Sequence, residues 1–155
     1  MLYDTGYHYG SDGRLYGNDM ESYFIGDPFS SQGIICGVTA IHTAITNYFS
    51  DTGVSVAVQD ITGTTLDDVY GLIKSGTPVM VWVTVGMRDR WSKSGWYRDD
   101  GAYMEYDRND HAAVLIGYSG DRVFLADPIA GNVSYGRAQF EKIFTERGNK
   151  CLIIN

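Results

Sequence analysis

Cysteine, histidine and clustered basic residues are scarce in this 155-residue chain, and each scarcity removes a class of function. Two cysteines, Cys36 and Cys151, make no disulfide framework; they suit a reducing compartment as well as an exported protein that needs no bridge. Three histidines, His8, His42 and His111, stand far apart and outside any metal-ligand spacing, so neither a zinc site nor another cofactor is expected. Lys and Arg form no stripe: the nearest run, residues 88–93, is short and interrupted by Asp89. Twelve basic against 19 acidic residues leave a net charge of −7. That balance disfavours nucleic acid, which is held by a basic surface that displaces counterions. No apolar run is long enough for a membrane span, and the longest, residues 78–86, suits a buried strand. The opening Met1-Leu2-Tyr3-Asp4-Thr5-Gly6 has neither the basic nor the apolar segment of a signal peptide.

What is present is an ordinary globular composition, 44% hydrophobic and 20% charged, at a length that suits one domain with one sizeable core. No repeat, low-complexity tract or linker divides it, so residues 1–155 are read as a single domain. Residues 3–34, rich in Tyr, Gly, Asp and Ser, follow no helical or strand period and read as irregular loop. The patches Gly10-Ser11-Asp12-Gly13 and Gly17-Asn18-Asp19 lack the spacing of a calcium loop and read as turns. Val38, Ile41, Ala44, Ile45, Tyr48 and Phe49 recur at helical spacing and predict a helix over 37–49 with one buried face. A short strand is expected at 54–58. Thr65 then reads as an N-cap, with Asp67 and Asp68 in the first turn and Gly76 closing the second helix.

The run from Pro78 to Val85 is β-branched and aromatic throughout, which predicts a central strand buried on both faces. Residues 87–101 form a polar excursion, 102–106 another strand, 138–146 a third helix stopped at Gly148, and 150–154 a closing strand that places Cys151 in the core. In the excursion, Trp91, Trp96 and Tyr97 read equally well as a cleft lining and as a loop pinned by aromatic packing. His42 reads as an ordinary helix residue.

Between these elements lies the segment with chemical content. His111-Ala112-Ala113-Val114-Leu115-Ile116-Gly117-Tyr118 and Val123-Phe124-Leu125-Ala126-Asp127-Pro128 read as a hairpin. A three-residue loop Tyr118-Ser119-Gly120, with a left-handed Gly in third place, pairs Gly117 with Asp121 and therefore His111 with Asp127. Directly paired residues share one face, so the carboxylate can accept an imidazole N–H, fix its tautomer and stabilise the imidazolium. Pro128 ends the strand beside Asp127, since it has no N–H for a ladder. The plainer reading is a His and an Asp pairing weakly at a solvated sheet end, and a one-residue slip would separate them.

These two strands resemble the His and Asp strands of the C39-like cysteine peptidases, a papain-like family. Asp60-Ile61-Thr62-Gly63, Leu66-Asp67-Asp68 and Ser75-Gly76-Thr77-Pro78-Val79-Met80-Val81-Trp82-Val83-Thr84 are similar to further motifs of that family, in the same order. The likeness runs from about Phe24 to the C-terminus. It implies an α+β, papain-like fold, an antiparallel sheet packed with about three helices, with His111 as general base and Asp127 as its orienter. It also implies a peptide or protein substrate, and a family that is often secreted or at the cell surface in bacteria.

For the nucleophile the resemblance leaves two alignments. In one, Cys36-Gly37-Val38-Thr39-Ala40 is the start of the nucleophile helix and Gln32 the oxyanion glutamine, although Gln32 stands four residues before Cys36 where the family usually leaves about six. In the other, Phe24-Ile25-Gly26-Asp27-Pro28 resembles a later segment of longer members, whose nucleophile lies on an earlier helix. The domain is then N-terminally incomplete, and Cys36 is a small buried hydrophobe at a helix start. The first implies thiol acyl-transfer hydrolysis. The second implies a degenerate domain that binds without catalysis and covers its apolar face by forming a homodimer, swapping segments or folding its own N-terminal residues over the gap. A transglutaminase or deamidase would use the same residue types.

Overall fold

The computed structural model describes residues 3–155; Met1 and Leu2, the start of the segment read for a leader, lie outside the described residues. In chain order the elements are β1 (Tyr3–Asp4), β2 (His8–Tyr9), β3 (Leu15–Tyr16), β4 (Phe24–Gly26), β5 (Gly33–Ile35), α1 (Val38–Thr52), β6 (Val58–Asp60) and α2 (Leu66–Lys74). They continue with β7 (Val79–Thr84), β8 (Lys93–Tyr97), β9 (Tyr103–Asp107), β10 (Asp110–Ser119), β11 (Arg122–Asp127), β12 (Gly131–Gly136), α3 (Arg137–Glu146) and β13 (Cys151–Ile154). The class is α+β, with three α-helices among the described residues. Two compact units emerge: residues 3–55 with 91–108, and residues 56–90 with 109–155.

The second unit is built on a six-stranded sheet in the order β12-β11-β10-β7-β13-β6, with every neighbouring pair antiparallel. Alternation along β7 sends Val79, Val81 and Val83 to one face, where they join Ala113, Leu115, Val123 and Leu125 in the core. Two helices cover that face. From α3 come Phe140, Ile143 and Phe144, all fully buried, and from α2 come Val69 and Tyr70. Thr65 caps α2 as its sequence predicts, accepting from Asp68 N at 3.2 Å while its hydroxyl donates to the Asp68 carboxylate at 2.7 Å. The helices are tied to each other by the Glu141 carboxylate, which accepts from Tyr70 and from Arg137. Cys151 is fully buried, and its thiol donates to the carbonyls of Ile61 and Asn149.

The first unit holds α1 and two small sheets, in the orders β1-β4-β5 and β2-β3-β8-β9. Here the expectation of irregular loop before residue 34 is corrected. Five strands of two or three residues occupy that stretch, too short for any period to register in the sequence. The polar excursion likewise contains β8, paired with β9. Trp96 is buried there, donating to Asn18 O at 2.8 Å and packing against Tyr106, whereas Trp91 is exposed. The apolar stripe of α1 is only partly buried and Tyr48 lies outside, so this helix is less one-sided than its spacing predicts.

Candidate functional site

β10 and β11 bring His111 and Asp127 together, by a route other than the expected register. The turn encloses two residues, Gly120 and Asp121, between the paired Ser119 and Arg122, instead of the three-residue loop. Two-residue turns match the twist of the flanking strands, and Gly120 supplies the left-handed backbone this one needs at φ 56°. Tyr118 then faces Val123, and extending that register would put His111 and Asp127 on opposite faces of the sheet. A bulge at Ile116 intervenes: beyond it Leu115 faces Leu125 and Val114 faces Ala126. That single extra residue restores the parity, so Asp127 is a diagonal neighbour of His111 on the same face. Diagonal neighbours are farther apart than direct ones, yet within reach of a side chain as long as histidine.

His111 Nε2 lies 3.0 Å from Asp127 Oδ2, and the two side chains keep only 10% and 6% of their surface exposed. Since a carboxylate can only accept, Nε2 carries a proton, and in the neutral ring Nδ1 therefore keeps the lone pair. The other oxygen, Oδ1, accepts from Ile129 N at 2.8 Å and Ala130 N at 3.0 Å, in the turn that follows Pro128. Burial pushes the Asp127 carboxyl up, but the N–H groups of Ala130 and Ile129, with the His111 ring, outweigh it and hold the group below its ordinary 3.8. Asp127 is therefore an ionised, rigidly held acceptor. The pair sits on the helix-covered face, where the ring's strand neighbour on β7 is the buried Val83.

Cys36 and Gln32 belong to the other unit. Cys36 stands immediately before Gly37, the N-cap residue of α1. The Glu21 carboxylate packs so closely on Gly37 that a Cβ there would stand 1.8 Å from Glu21 Oε2, so only glycine fits. Burial, and then the charge of Glu21, push the Cys36 thiol up to about 12. That is the reverse of the electropositive setting that lowers the pKa of a reactive thiol. Gln32 is exposed; its backbone N–H donates to Ser30 Oγ at 3.1 Å and its backbone carbonyl accepts from Asp27 N. Among the described residues no group of three or more His, Cys, Asp and Glu side chains could hold a metal ion, and no helix is long and apolar enough to cross a membrane.

Two features escaped the sequence. Glu21 lies 15 positions before Cys36 in a stretch without periodicity, so nothing marked it as a neighbour. The ionic partners of Asp110, the partly exposed Arg90 and the largely buried Arg147, come from distant parts of the chain, and no spacing in the sequence marks them.

The sequence matches the profile of the Peptidase_C39 like family over residues 5–152. It is 26% identical over 137 residues to the uncharacterised protein YvpB of Bacillus subtilis, covering 88% of this chain and 52% of that one. The chain thus spans about half the length of the curated relative it matches. A crystal structure from Bacillus anthracis assigned to the C39-like peptidases superimposes with a TM-score of 0.77 at 20% identity, covering 95% of this chain and 72% of the other. That likeness shows a shared fold. With a profile match across nearly its whole length, the chain belongs to the Peptidase_C39 like family.

Proposed function

We propose that His111 and Asp127 are the base and the orienter of a thiol acyl transfer that hydrolyses a peptide bond in a peptide or protein substrate. The observation that carries this is the carboxylate held on three sides: Oδ1 by two backbone N–H groups and Oδ2 by the imidazole at 3.0 Å. Such an arrangement locks the ring in the Nε2–H tautomer and leaves Nδ1 as the basic nitrogen. In the reaction Nδ1 takes the thiol proton, sulfur attacks the scissile carbonyl, and the resulting imidazolium protonates the leaving amine as the C–N bond breaks. Water, deprotonated by the same nitrogen, then cleaves the thioester and releases the acid. Within this chain Cys36 is the candidate thiol and Gln32 the candidate oxyanion donor.

A second reading, a domain that binds without catalysing, is favoured by one specific observation: burial and Glu21 keep the Cys36 thiol protonated. Iodoacetamide alkylation of the folded chain across pH, with the modified cysteine located by mass spectrometry, separates the two. If Cys36 is the nucleophile it reacts well below the ordinary thiol range near 8.5, and His111→Ala abolishes that reactivity. A Cys36 that is inert, or indifferent to His111, overturns its role and leaves the binding reading.

A further inference from the structure

One face of the small sheet β2-β3-β8-β9 carries a continuous row of rings that the proposed reaction does not use. Register places His8 opposite Tyr16, Tyr16 opposite Tyr97 and Tyr97 opposite Tyr103, one ring from each of the four strands. Residues paired in this way project to the same face, while alternation sends the neighbouring Trp96 to the other face, where it is buried. Successive ring centroids lie 6.2, 6.2 and 5.0 Å apart. Two glycines make room for the row: a Cβ on Gly10 would stand 2.8 Å from the Tyr16 ring, and one on Gly95 would stand 2.7 Å from the Tyr103 hydroxyl. Both rings therefore lie over backbone, and His8 and Tyr103 remain exposed.

The charges bordering the row are balanced. Asp12 accepts from the Tyr16 hydroxyl at 2.9 Å and lies 3.7 Å from Arg14 Nε, and the Arg14 guanidinium sits 4.9 Å from the Tyr97 ring centre. On the same face Lys93 pairs with Glu105. These four charges form two pairs of opposite sign, so the border of the row carries no net charge. A nucleic-acid strand that stacks its bases needs cations free to replace its counterions, which this face does not offer. A proline-rich peptide docks in grooves between aromatic ridges, and rings in mutual contact leave no such groove. What fits is a neutral chain of sugar rings, whose C–H faces carry partial positive charge and rest on the negative face of an aromatic ring. Its hydroxyls meet Asp12 as acceptor and Arg14 as donor.

We propose that the row His8, Tyr16, Tyr97 and Tyr103 is a binding platform for a neutral, equatorially linked polysaccharide. Sugar rings stack on Tyr16 and Tyr103, and Arg14 between them donates to hydroxyl groups. The linkage follows from shape: three strand spacings make a track of about 14 Å, and an equatorially linked glycan is extended enough to present successive ring faces along it. The platform does not require His111 to act as a base.

The test is calorimetric titration of the full chain with cellohexaose and with the N-acetylglucosamine hexamer. The wild type binds at least one of them at millimolar concentration or below. Tyr16→Ala and Tyr103→Ala each weaken that binding by roughly three- to tenfold, the size expected for one lost aromatic contact. Tyr103→Phe keeps the ring and holds the wild-type affinity, and Tyr48→Ala, which removes an exposed tyrosine of α1, leaves binding unchanged. Binding of neither sugar at millimolar concentration, or equal binding by wild type and Tyr103→Ala, overturns the proposal. Saturation by a proline-rich peptide without any response to sugar also overturns it and makes the row a peptide face. Should an alanine variant not fold, NMR of the wild type decides. Ring resonances of Tyr16, Tyr97 and Tyr103 that shift with either sugar support the platform, and resonances that stay in place refute it.

Discussion

Each oxygen of Asp127 has its own partners, and this division makes the residue an orienter instead of a proton acceptor. Oδ1 is committed to the turn and Oδ2 to His111, so the carboxylate cannot rotate without breaking a bond. Cys36 presents the opposite case, a potentially reactive group that its neighbours suppress. Burial is the larger cause and the Glu21 charge the second. Glu21→Gln therefore lowers the Cys36 pKa from about 12 but leaves it above the ordinary thiol value, because the burial remains. The alkylation rate of Cys36 against pH measures this. An unchanged profile would mean that Glu21 does not act on the thiol.

The parity of the hairpin is decided within β10. The turn alone sets a register that separates His111 from Asp127, and the bulge at Ile116 brings them back to one face. Deleting Ile116 should remove only the extra residue, leaving Leu115 opposite Leu125 in a regular ladder and His111 on the same face as Asp127, so their hydrogen bond should persist. Retention of the hydrogen-bonded His111 Nε2–H resonance in NMR, with far-UV circular dichroism unchanged, is the expected result. A deletion variant that loses the pair would mean that the pairing of Leu115 with Leu125 does not hold once the extra residue is gone. The same comparison indicates how much of the site was legible in the sequence. That His and Asp lie on adjacent strands follows from two apolar runs around a Ser-Gly turn. The expected loop length was wrong and the bulge was invisible, because nothing about Ile116 differs from a normal strand residue. The two errors together amount to an even shift, which is why the side chains still meet.

For the molecule as a whole, acid stability follows from the site. Asp127 titrates below its ordinary 3.8 in the folded chain, so its stabilisation is fully present above that value and is lost as pH falls through the folded pKa. Asp127→Ala should cost about 2 kcal/mol or more at neutral pH, given several bonds to a charged acceptor. The gap to wild type should narrow below about pH 4, as Asp127 becomes protonated in the wild type. Denaturant unfolding of both proteins at a series of pH values checks this, and a gap that fails to narrow in strong acid would contradict the assignment. The chain leaves this unit after Arg90 and returns at Asn109, so His111 follows directly on the re-entry.

The sequence by itself determined the α+β class, the three helices, the central strand β7 and the family. Each rests on local periodicity, capping chemistry or contiguous motifs, which a chain carries without folding. Tertiary structure alone decided the rest. The five short strands before Ile35 draw their order from partners, not from a period of their own. Glu21 reaches Cys36, and Arg147 reaches Asp110, across separations that leave no mark on spacing. The pairing of His111 with Asp127 belongs to both levels: residue types and strands were legible, but the face on which they meet was set by one bulged residue, because side-chain direction along a strand alternates with every position.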